Sequence, residues 1–204
     1  MFVSFDGPDG TGKSTQLGRL ADRLRAAGRA VTTCVDPGGT PLGARLRELI
    51  LFGREHQFGP RPEALLFMAS RAELVDRVIR PALLRGEVVL TDRFLLANVV
   101  YQGHAGGLDP AELWAAGRLS TGGLEPDRTL VFDAPLTVCE TRAKPVADRL
   151  EGRGRDYKER VRAGFQLEAG RRPDRLTLID ATPDADAVAE AVWRAVGDLM
   201  QKAK

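Results

Sequence analysis

The chain has 204 residues, 43% hydrophobic and 28% charged, a balance that excludes an intrinsically disordered or fibrous protein. Its 30 Lys and Arg against 28 Asp and Glu leave a net charge of only +2, which argues against a dedicated nucleic-acid binder with a broad basic face. Cys34 and Cys139 stand far apart and suggest neither a disulfide framework nor a zinc site, and no apolar run approaches the ~18 residues of a membrane span.

The apolar opening Met1–Phe5 reads as a strand that enters a glycine-rich block at once. This start leaves no room for a signal peptide, so a cytoplasmic location is expected. The block Gly7-Pro8-Asp9-Gly10-Thr11-Gly12-Lys13-Ser14 matches the phosphate-binding pattern G-x-x-x-x-G-K-[ST] in full, and Thr15 continues into a helix. Strand before and helix after are the setting in which backbone N–H groups wrap a phosphate chain. Lys13 adds a positive charge toward the β- and γ-phosphates, and the Ser14 hydroxyl suits a Mg²⁺ ion. A nucleoside triphosphate is the expected ligand.

Helical spacing of Leu17, Leu20, Ala21 and Leu24 predicts a helix over Thr15–Ala27, stopping at Gly28. Ala30–Val35 is β-branched and short. Pro41–Phe52 reads as a helix, and Pro62–Leu84 as a longer one ending near Pro81 and Gly86. Val88–Thr91 is a buried strand leading to Asp92, Pro110–Leu119 a helix, and Thr129–Phe132 a strand leading to Asp133. Helices follow over Leu136–Arg142 and Tyr157–Ala169, either side of a charged, irregular run. A last strand is expected at Arg175–Ile179 and an amphipathic helix at Asp184–Lys202. Five short strands alternating with helices predict an α/β fold, a five-stranded parallel sheet with helices on both faces, in one domain over 1–204.

Ligands of such sheets gather at the carboxyl ends of the strands. Besides the glycine-rich block, three segments fall there: Asp36–Thr40, Asp92-Arg93-Phe94 with Asn98 and Tyr101-Gln102-Gly103, and the cationic run Arg142–Arg155. Taken singly, the first reads as a Pro-Gly turn, Asp92 as a helix cap and the third as a solvated surface. Their joint placement favours a substrate cleft lined with cations.

Order and spacing along nearly the full length resemble the bacterial thymidylate kinases, P-loop nucleoside monophosphate kinases. The resemblance rests on Phe5–Thr15, Pro37–Gly43, Leu66–Arg71, Asp92–Phe94, Tyr101–Gly103 and Asp148–Glu151. It implies phosphorylation of dTMP to dTDP by ATP with Mg²⁺. It implies further that Asp9 contacts the sugar 3′-hydroxyl, Phe67 stacks on thymine, and Arg93 and Arg45 grip the acceptor phosphate. Phe67 is otherwise read as one more core aromatic. Arg71, one helical turn from Phe67, is expected to meet a pyrimidine carbonyl or the monophosphate. Asn98, Tyr101 and Gln102 are expected around base and sugar, and Asp92 near the metal with Ser14. A lid at about 142–155 is implied, supplying a cation from Arg142, Lys144, Arg149 or Arg153, with Arg149 favoured for its place in the matching block. Lys13, Arg93, Asp9 and Arg149 form the expected catalytic set. A homodimer through Pro41–Phe52 and Pro62–Leu84 is also implied.

The chain departs from the family at three places. Val35-Asp36 stands where Arg-Glu is common, Ala97 replaces a serine, and the lid run is lean and contains Pro145. Rival readings are a kinase for another monophosphate or a deoxynucleoside, a nucleotide-dependent switch, and an ATP-driven ligase. The switch would call for a guanine-reading Asn-Lys-x-Asp, which is absent.

Overall fold

The computed structural model of the chain describes residues 1–53, 58–142 and 153–202. Strand β1 (Phe2–Asp6) is buried along its whole length, as an apolar strand covered on both faces must be. Helix α1 (Lys13–Ala26) starts after Gly12 and ends before Gly28, both with positive φ. Strand β2 (Val31–Val35) lies at an edge and is only half-buried. Thr40 caps helix α2 (Pro41–Phe52) by accepting from the Gly43 N–H at 2.9 Å, with Pro41 in the first turn.

Helix α3 (Pro60–Leu74) and helix α4 (Arg80–Leu84) occupy the place of the single predicted helix Pro62–Leu84. A wider, π-helical turn over Val75–Ile79 joins them. Pro81 has no N–H to donate and its ring crowds the preceding turn, so the chain widens there rather than breaking. Strand β3 (Val88–Asp92) follows, then helix α5 (Leu95–Asn98), which continues as a second π-helical turn over Val99–His104. No element was expected here, because Leu95–Tyr101 is buried all round and carries no polar face to reveal a helical period.

Helix α6 (Pro110–Thr121), strand β4 (Arg128–Asp133), helix α7 (Leu136–Arg142), helix α8 (Arg155–Arg171), strand β5 (Leu176–Asp180) and helix α9 (Ala185–Lys202) complete the described chain. Among the described residues the sheet is five-stranded and wholly parallel, in the order β2-β3-β1-β4-β5. From β1 the chain runs outward past β3, returns, and then crosses to β4 and β5. Such a reversal opens a crevice at the carboxyl end of β1. Register sets that rim: Phe5 and Val35 both pair with Asp92, and Asp6 pairs with Val131. One core cluster lies between the sheet and α1 and α9; a second packs α3, α5 and α6 on the opposite face. No described helix is long and apolar enough to cross a membrane.

Candidate active site

The loop between β1 and α1 is folded tightly against its neighbours, and glycine is what allows it. A Cβ on Gly7 would lie 2.3 Å from the Phe132 carbonyl oxygen, and one on Gly10 would lie 2.3 Å from that of Cys139. Both also have positive φ, so any side chain would meet steric strain as well as a clash. Lys13 closes over the loop, its Nζ donating to the Pro8 carbonyl at 2.7 Å and lying 3.8 Å from Asp9. Burial pushes the Lys13 ammonium down to about 8, and the nearby charge of Arg93 acts the same way against the pull of Asp9, Asp92 and Asp6.

From the end of β3, Arg93 reaches across to this loop. Its φ of 68° is left-handed, costly for a residue with a side chain and paid only where surroundings over-determine it. In that conformation the backbone N–H bonds to the Phe5 carbonyl at 2.9 Å. The guanidinium donates to the Gly7 carbonyl at 2.9 Å, to the Asp9 carboxylate, and to the Tyr101 hydroxyl at 3.2 Å. It also lies 5.0 Å from the Tyr101 ring centroid, within cation–π reach. Burial works against the Asp9 carboxylate, but the charges of Arg93 and Lys13 outweigh it and hold the group below its ordinary value. The Ser14 hydroxyl donates to the Asp92 carboxylate, so the two expected metal residues meet.

These groups form one end of a cavity of about 650 Å³. Its other end is lined by Phe67, Arg71, Asn98, Gln102 and Asp36. Phe67 serves the core as well, packing on Ile50 and Leu51. Arg71 is almost fully buried: Nε bonds Asp36 at 2.5 Å, Nη1 bonds Asn98 Oδ1 at 3.0 Å, and Nη2 reaches the Phe94 carbonyl at 3.4 Å. The substituted position Asp36 is thus the counter-ion of Arg71.

Arg45 is not brought to the cavity. It lies on the exposed side of α2, whereas Arg47, two residues on and therefore on another face, lines the wall and donates to the Pro37 carbonyl at 2.9 Å. Of the lid cations, Arg142 lines the cavity and binds the Ala181 and Thr182 carbonyls at 2.6 and 3.1 Å. Arg153 turns away to Glu63 at 2.9 Å. Lys144 and the favoured Arg149 lie outside the described residues, as does most of the lid run. Sequence reasoning missed Arg47 and Glu63 as site-forming residues; it placed Asp36 at the edge of the cleft but did not pair it with Arg71. Glu63 stands in the first turn of α3, two residues after Arg61, where an acidic residue reads as an ordinary helix-start charge, so the sequence carried no signal that set it apart.

The thymidylate kinase family model matches residues 5–192. The chain belongs to the thymidylate kinase family. Thymidylate kinases from Caulobacter vibrioides, Rhodopirellula baltica and Thermomicrobium roseum are 46%, 45% and 43% identical to it over 94%, 93% and 100% of this chain and 93%, 77% and 97% of theirs. The crystal structure of thymidylate kinase from Ehrlichia chaffeensis superposes with a TM-score of 0.78 at 28% identity, covering 96% of this chain and 98% of that one. The five-stranded parallel sheet with surrounding helices is therefore the P-loop nucleoside monophosphate kinase fold.

Asp6 lies beneath this family site, fully buried and with neither carboxylate oxygen hydrogen-bonded among the described residues. Burial pushes its carboxyl from 3.8 up to about 6, with Arg93, Lys13 and Arg71 opposing the rise. A raised acid pKa means the folded state holds the proton longer than the unfolded one. Stability is therefore lost as pH climbs from about 4 to about 6, by up to about 3 kcal/mol at 1.36 kcal/mol per unit. Asp6→Asn lacks this charge. Its stability relative to wild type should improve by that order between pH 4 and pH 8 in urea denaturation, and a difference independent of pH would contradict the assignment.

Proposed function

We propose that the protein transfers the γ-phosphoryl group of ATP to dTMP, giving dTDP, with Mg²⁺ as cofactor. The observation that carries this reading is the meeting of the Asp9–Arg93–Tyr101 cluster with the phosphate-binding loop in one cavity, in a chain of the thymidylate kinase family. A loop that only binds ATP has no use for a carboxylate at position 9. The loop Gly7–Thr15 holds the donor phosphates through its backbone and Lys13. Asp9 takes the acceptor's 3′-hydroxyl, and Tyr101 packs under the sugar. Arg93 exchanges part of its contact with Asp9 for the acceptor phosphate, which it grips through two N–H groups. Phe67 stacks on the base, whose polar edge meets Arg71 and Asn98 with Gln102 behind. Arg47 takes the second phosphate-gripping role that resemblance assigned to Arg45.

Ser14 and Asp92 fit a magnesium ion: a hydroxyl beside a carboxylate suits a hard cation that keeps most of its ligands from water and phosphate. When bound, the ion neutralises charge on the β- and γ-phosphates. Among the protein's own groups, Lys13 and Arg93 approach the transferring phosphoryl from donor and acceptor sides. The remaining donor-side cation is Arg149 by resemblance, in a lid at about 142–155 of a single domain. Loss of water on closure protects ATP from hydrolysis. A cytoplasmic location suits these substrates.

A coupled ADP-release assay with ATP, Mg²⁺ and a panel of nucleoside monophosphates tests the reaction. dTMP should be the best acceptor, with dUMP several-fold poorer for want of one methyl contact, about 1 kcal/mol. AMP, CMP or a nucleoside outperforming dTMP would overturn the assignment. The homodimer is proposed through α2 and α3, whose Leu42, Phe52 and Leu65 are exposed. Light scattering should give twice the 22.2 kDa of one chain, and the mass of one chain counts against it.

A further inference from the structure

A line of buried polar side chains runs from the base end of the cavity to the start of α8. Arg71 donates to Asp36 and, through Nη1, to Asn98 Oδ1 at 3.0 Å. Asn98 Nδ2 donates to Gln102 Oε1 at 2.8 Å, and Gln102 Nε2 donates to Glu63 Oε1 at 2.9 Å. Arg153 supplies the balancing charge, donating to Glu63 Oε2 at 2.9 Å. Every side chain from Asp36 to Glu63 along this line is exposed by 2% or less. Burial makes each missed hydrogen bond costly, so the direction of the line matters.

A guanidinium only donates and an ionised carboxylate only accepts, while an amide can present either end. Shape alone does not choose between the two ends of Asn98 or Gln102, because the amide oxygen and nitrogen are nearly equal in size. Arg71 at one end and Glu63 at the other select the same direction. Turning Gln102 over would set its oxygen against Glu63 and its nitrogen against the nitrogen of Asn98. Turning Asn98 as well would set that nitrogen against Arg71.

We propose that Glu63, acting through Gln102, is a positioning residue for base selection: it keeps the Asn98 amide oxygen beside Arg71, so that a donor and an acceptor stand next to each other at the base edge. This rests on the thymidylate kinase reading above. Thymine offers a 4-carbonyl and an N3–H, which complement that pair. Cytosine offers a 4-amino group and a bare N3, which oppose it at both positions. Discrimination between the two pyrimidines is then set partly by a carboxylate that touches neither, by penalising the wrong base. Glu63→Gln gives position 63 a donor, lets Gln102 turn over, and draws Asn98 into the orientation that accepts cytosine. Arg71 still resists that turn, so discrimination weakens rather than vanishes.

The test is kcat/KM for dTMP and for dCMP in wild type, Glu63→Gln and Gln102→Leu, with KM and kcat resolved. In Glu63→Gln the dTMP-to-dCMP ratio should fall about tenfold, mainly through a higher KM for dTMP, with kcat at saturation changed much less. Gln102→Leu breaks the same link, should lower the ratio similarly, and carries the test if Glu63→Gln does not fold. The double variant should fall no further than Gln102→Leu alone. A merely structural Glu63 would depress both substrates equally, so an unmoved ratio in both single variants overturns the proposal. A wild-type enzyme with no preference for dTMP over dCMP would instead overturn the reaction on which it rests.

Discussion

Arg93→Ala should lower kcat with dTMP by about 10³-fold, while KM for ATP changes by a few-fold at most. Arg93 donates at once to the Gly7 carbonyl of the phosphate-binding loop, to Asp9 and to the Tyr101 hydroxyl, so it spans the line between donor and acceptor. Charge develops there chiefly in the transition state, and loss of an interaction made only in that state appears in kcat. Donors of this kind are worth two to three powers of ten in acyl transfer, and arginines at a transferring phosphoryl about three to five. Removing Arg93 also strips Asp9 of the larger of the two charges that offset its burial and of the hydrogen bond that orients it. Lysine at this position keeps a charge but not the fork that reaches Gly7, Asp9 and Tyr101 together, so Arg93→Lys should recover only a small part of the loss. Single-turnover measurement of the chemical step is the check. A variant that keeps kcat and loses only dTMP affinity would make Arg93 a binding residue alone.

Asp36→Ala should cost about 3–5 kcal/mol of folding stability, read from chemical denaturation. Asp36 and Arg71 are both nearly inaccessible and are joined at 2.5 Å. Removing one member of a buried ion pair leaves the other charge without compensation, and the guanidinium cannot shed its proton to escape. The bonds from Arg71 to Asn98 and the Phe94 carbonyl soften this loss but carry no opposite charge. The double variant Asp36→Ala with Arg71→Leu should regain much of the stability, because an apolar pair leaves no buried charge, while activity with dTMP stays low. A single variant that is as stable as wild type would show that Arg71 finds another counter-charge.

Local signals in the chain account for much of this architecture. Gly7–Ser14 between an apolar strand and a helical period could be read directly, since tight turning at Gly7 and Gly10 demands glycine wherever it occurs. Strands β1, β3 and β4 announced themselves as short apolar runs ending in Asp6, Asp92 and Asp133. Helix α2 carried its cap and first-turn proline. The segment Leu95–His104 was illegible by the same logic, because burial on every side erases the alternation that marks a helix. That Arg47 rather than Arg45 lines the cavity was hidden for a related reason: residues two apart on a helix diverge by more than a right angle, and only packing decides which faces the cavity.

What the sequence by itself determined was therefore the order of elements, the phosphate-binding loop and the family to which Phe5–Thr15, Asp92–Phe94 and Tyr101–Gly103 point. Those features depend on neighbours along the chain, where backbone geometry and spacing are enough. Only the tertiary structure decided that Asp36 neutralises Arg71, that Arg93 spans to Asp9, and that Glu63 and Arg71 orient Gln102 and Asn98 from opposite ends. Partners in these contacts stand 27 to 84 residues apart, and no local rule links them. Their pairing is enforced by burial, which makes an unmatched charge or amide too costly to leave, so the sheet that brings them together also chooses what each must bond.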